Sequence, residues 1–71
     1  MLPFEDIEAG VTYEGNSGQQ KKVLRMWGVG WSRMVEYEVL NSVGGRGLPT
    51  GTIRARHIGE FKAWATKIIE N

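Results

Sequence analysis

The chain has 71 residues, no cysteine and a formal net charge of +1. That length reads as one domain over residues 1–71 with a thin core, and the composition excludes disulfides, thiolate metal sites and a cysteine nucleophile. No apolar run approaches the roughly 18 residues of a membrane span. The acidic start does not read as a signal peptide, and a small cysteine-free domain fits a reducing, cytoplasmic setting.

Taken in chain order, residues 4–9 are expected to form a single helical turn closed by Gly10, with Phe4 and Ile7 packing onto the body. Val11 to Glu14 reads as a short strand, followed by a tight connection over residues 15–18. Gln19 to Trp27 reads as a second strand and Ser32 to Leu40 as a third, joined through Gly28-Val29-Gly30-Trp31. The third strand alternates, so Val35, Tyr37 and Val39 should face the core and Met34, Glu36 and Glu38 the opposite side. The second strand is apolar on both faces. An even loop pairs Leu24 with Val35 and Lys21 with Glu38, turning Leu24 and Met26 inward and Val23, Arg25 and Trp27 outward. A three-residue loop pairs Val23 with Val35 and Lys22 with Glu36 and exchanges the faces. The even loop is preferred because it avoids setting Arg25 opposite Arg33.

Residues 41–51 hold Gly44, Gly45, Gly47, Gly51 and Pro49 and read as a loop. Thr52 to His57 should be a fourth strand, with Ile53 and Ala55 inward and Arg54 and Arg56 outward. Ile58, Phe61, Trp64 or Ala65, and Ile68, with Ile69 beside them, recur at helical spacing. They predict an amphipathic helix over residues 58–69, of about three turns.

The set Gly10-x-x-Tyr13-x-Gly15, Val23, Val35-x-Tyr37, Ile53 and Phe61 resembles small SH3-like β-barrels. The segment Phe61-x-x-Trp64-Ala65 resembles the ending of short uncharacterised bacterial and phage-encoded proteins. The resemblance implies a mostly β, α+β architecture with an SH3-like fold and a binding role. A final helix longer than the single 3₁₀ turn of such barrels leaves open a four-stranded antiparallel sheet with the helix packed across one face.

Chemistry is sparse. His57 is the sole histidine and lacks convergent ligands for a metal. Glu36 and Glu38 share a strand face but have no pocket to separate their roles. Residues 44–52 lack the lysine of a phosphate-binding loop. Neither a cofactor nor an enzymatic activity is expected.

The charge is uneven. Residues 1–20 carry Glu5, Asp6, Glu8 and Glu14 and no Lys or Arg, whereas residues 21–57 carry seven Lys and Arg against Glu36 and Glu38. Arg25, Trp27, Trp31 and Arg33 should cluster around the central hairpin, with Arg46, Arg54 and Arg56 nearby. Aromatic and arginine side chains are enriched where proteins bind one another. They also hold nucleic acid, cations tracking phosphates and rings stacking on bases. The expectation is a binding module for a protein partner, with single-stranded or duplex nucleic acid as the alternative. An open edge strand leaves room for a monomer or a weak homodimer.

Overall fold

A computed structural model describes residues 7–41 and 49–70. The fold is mostly β, with one short helix. The strands are β1 (Thr12–Gly15), β2 (Gln20–Trp27), β3 (Met34–Val39), β4 (Ile53–His57) and β5 (Ala65–Glu70), and α1 spans Ile58–Trp64 between β4 and β5. A 3₁₀ turn, Gly30–Ser32, lies between β2 and β3. All five strands form one antiparallel sheet in the order β4-β3-β2-β1-β5. The sheet therefore has one strand more than the four expected. The helical turn expected over residues 4–9 falls partly outside the described residues, and from Ile7 the chain runs through a turn at Ala9–Gly10.

The final element corrects the expected three-turn helix. α1 stops at Trp64, where the Ala65 N–H donates to the Phe61 carbonyl, and residues 65–70 are extended. Thr66, Ile68 and Ile69 are β-branched and favour a pleated strand over a helix. The decisive gain is the ladder to β1, which pairs Gly15 with Ala65, Glu14 with Lys67 and Tyr13 with Ile68. Thr66 Oγ1 adds a bond to the Glu14 carbonyl at 2.9 Å. Continuing the helix would leave one side of β1 without this ladder.

The second correction concerns β2. The ladder pairs Val23 with Tyr37 but Arg25 with Glu36, so Leu24 is a bulge. Neither expected register survives, because one extra residue shifts the pairing part-way along the strand. Lys21 and Val23 turn inward before the bulge, and Met26 turns inward after it. Leu24 faces out rather than in, and Val23 is fully buried rather than exposed. In β4 the faces are also exchanged. Arg54 and Arg56 pair with the inward Tyr37 and Val35, and Ile53, 55% exposed, lies outward with Ala55.

The core comprises Ile7, Val11, Tyr13, Val23, Val35, Tyr37, Val39, Ile58, Phe61 and Ala65. Phe61 is its hub. Its ring meets Tyr13 edge-on at 5.6 Å, Tyr37 at 5.6 Å and Trp64 at 5.3 Å. α1 is too short to hold its shape alone. It is fixed by burying Ile58 and Phe61, and by the Ile58 N–H bonded to the Arg33 carbonyl at 3.0 Å.

Candidate functional site

Where the inner face of the sheet runs out from under α1, a groove of about 410 Å³ opens, lined by Gln19, Lys21, Tyr37, Arg54, Ala55, Arg56 and Trp64. Strand alternation builds most of it. Tyr37 and Arg54 are cross-strand partners, Arg56 stands two residues further along β4, and Lys21 comes from the inward row of β2. α1 adds Trp64 from its last position.

Trp64 can lie flat at that point because β1 ends in glycine. A Cβ on Gly15 would stand 2.5 Å from Trp64 Nε1. Gln19 is held at the other end by Asn41, whose carbonyl accepts from Gln19 Nε2 at 3.5 Å. The Asn41 side chain accepts from the Gln20 N–H at 2.7 Å and donates to the Gly18 carbonyl at 3.3 Å.

Lys21 is the unusual member, a lysine only 5% exposed. Its Nζ lies 4.2 Å from the Trp64 ring and 4.8 Å from the Tyr37 ring. Ring faces stabilise the ammonium but do not replace its water. Burial, and then the charge of Arg56, lower its pKa from 10.5 to about 8. Tyr37 shifts the other way. Burial raises the pKa of its phenol against the opposing pull of Arg56 and Arg54, so it stays protonated and able to donate.

Among the described residues, no carboxylate lines the groove. Among the described residues, Lys21 and Arg54 make no ion pair, and Arg56 reaches only Glu60, at 3.8 Å. Three cations thus converge on a half-enclosed space with little counter-charge. The arrangement can accept an anion by charge and by several N–H donors at once.

The residues expected to act together are divided between the two faces of the sheet. Arg54 and Arg56 join the groove. Arg25 and Trp27 lie on the outer face, where Arg25 Nε donates to Glu36 Oε1 at 2.7 Å and its guanidinium covers the Trp27 ring at 5.1 Å. Arg33 stands at the hairpin with Nη2 3.7 Å from Met26 Sδ, and Trp31 belongs to the 3₁₀ turn. Arg46 lies outside the described residues. Arg54 and Arg56, expected to project on the outward surface near the hairpin residues, therefore lie on the opposite face from Arg25 and Trp27. The inward turn of the β4 arginines is the reason.

Sequence reasoning passed over Gln19, Lys21 and Tyr37 as site residues and treated Trp64 as part of a helix stripe. The missed signal was Lys21 two places before Val23, which marks the same face once Val23 is known to be inside. Among the described residues there is no cluster of three or more metal-ligating side chains, and no helix is long and apolar enough to cross a membrane. Compared with known proteins, the chain matches no family model, and no curated protein or solved structure is significantly similar to it.

Proposed function

We propose that the chain is a non-enzymatic binding module that takes an acidic segment of a protein partner in the groove between β4 and the end of α1. The observation that carries this reading is the convergence of Lys21, Arg54 and Arg56 on a space that no carboxylate of the described residues lines. Among the described residues β4 is also an edge strand, paired with β3, so an extended segment has backbone to pair with as its side chains reach the cations. The antiparallel order β4-β3-β2-β1-β5, with a short helix between β4 and β5, supports an SH3-like arrangement, a fold type that takes peptides on aromatic-lined surfaces.

The nucleic-acid alternative has less support. Bases need free ring faces beside the cations. In the groove Tyr37 is 2% exposed, and Lys21 sits over both it and Trp64. Trp27, 43% exposed, is on the far side of the sheet beside an arginine already paired to Glu36.

The test is an amide-shift titration with a glutamate-rich peptide and, separately, a single-stranded oligonucleotide, at low and moderate salt. The reading expects peptide-induced shifts along β4 and at Trp64, lost in Arg54→Glu/Arg56→Glu. It is overturned if the peptide leaves those amides unmoved, or if the oligonucleotide binds there with a steep salt dependence.

A further inference from the structure

We infer that the cationic end of the groove is a subsite for a doubly charged oxyanion, the phosphoryl group of a phosphorylated side chain in the partner. The inference rests on the binding reading above and names the chemistry that the site selects.

Charge and donor number select the ligand. Lys21, Arg54 and Arg56 bring three positive charges to one lining, and among the described residues the carboxylate paired with them is Glu60, 3.8 Å from Arg56. Lys21 and Arg56 repel one another across the groove, and this repulsion helps lower the lysine's pKa. A single carboxylate relieves only part of that repulsion. A phosphoryl group carries between one and a half and two negative charges and three strong acceptor oxygens. Two guanidinium forks on alternate residues of β4, with an ammonium from β2 across the intervening β3, match it in number and in kind. Tyr37, which also lines the groove, carries one more donor in its phenol O–H.

The titratable and charged groups around Lys21 are Arg54 and Arg56 on β4, Tyr37 on β3, its cross-strand partner Tyr13 on β1, and Glu60 of α1 acting through Arg56. An anion bound among them stabilises the ammonium and raises its pKa.

The first probe is inorganic phosphate, titrated against sodium chloride at matched ionic strength. The side-chain resonances of Lys21, Arg54 and Arg56 report binding. The expected result is a saturable, phosphate-specific shift at all three and an upward move of the Lys21 pKa. Arg56→Gln should weaken binding on the order of tenfold, the size of one lost charge-assisted contact. Lys21→Met, which keeps the buried stem, should weaken it similarly while core amide shifts stay in place.

The second probe is a matched pair of acidic peptides, with and without a phosphoserine. The phosphorylated form should bind at least tenfold tighter. If both peptides bind equally, or phosphate gives only the chloride response, the subsite is refuted while the acidic-segment reading stands. If neither peptide binds, both fall. A phosphate shift indifferent to Arg54→Gln and Arg56→Gln means an adventitious ion only and also refutes the subsite.

Discussion

The two faces of the sheet carry the same kinds of side chain and use them differently. On the outer face Arg25 is bonded to Glu36 and covers Trp27, so charge and ring are both occupied within the chain. On the inner face Lys21, Arg54 and Arg56 stand beside Tyr37 and Trp64 with little carboxylate to answer them. Composition does not separate the two groups. Pairing does: an arginine opposite a glutamate in the ladder is neutralised across it, and an arginine opposite Tyr37 or Val35 has no carboxylate across the ladder. A basic–aromatic cluster in a small β domain is thus informative only once its carboxylate partners are known.

Four substitutions break or sharpen that contrast. The largest effect belongs to the core that both faces share. Phe61→Ala should cost about 3–5 kcal/mol, comparable with the whole stability of a domain this small, and thermal melting should show a largely unfolded chain at ambient temperature. Gly15→Ala should cost less, about 1–3 kcal/mol, because the new Cβ pushes Trp64 aside. A shift in tryptophan emission at unchanged outer-face amide positions will report it.

Lys21→Met isolates the inner-face charge. The folded-state pKa of Lys21 lies below its unfolded value, so the unfolded chain holds the extra proton between about pH 8 and pH 10.5. Lys21 therefore makes stability rise as pH rises through that window, and its cost is complete below pH 8. Denaturant midpoints should show the methionine variant more stable than the parent near pH 7, with the advantage shrinking towards pH 10.5. The smallest effect is on the outer face. Arg25 is 70% exposed in its pair with Glu36, so Arg25→Gln should change stability by less than about 1 kcal/mol and leave anion binding unaltered.

Much of the architecture was legible in the residues. The alternation of Val35, Tyr37 and Val39 places β3 correctly, because a strand with one buried face must repeat every second position. The start of α1 and its buried Ile58 and Phe61 follow from helical spacing. Ile68 and Ile69 extend that spacing numerically, yet they lie on β5, because pairing with β1 is a contact between residues far apart in sequence. The bulge at Leu24 is equally invisible to a pattern of period two, since it changes the phase of the pattern mid-strand.

The site was half legible for the same reason. Arg54 and Arg56 stood out as cations on alternate positions. The face they occupy depends on register with β3, and Lys21 enters only through the phase of β2 before the bulge. Local chemistry nominated residues, and long-range pairing decided which of them meet.

The central claim is that Lys21, Arg54 and Arg56 share one under-neutralised environment. It is tested most directly by titrating the Lys21 side chain by NMR in the parent chain and in Arg56→Gln. The account expects a midpoint near 8 in the parent and a higher one in the variant. A lysine that titrates at its ordinary 10.5 in both proteins, indifferent to Arg56, would contradict it.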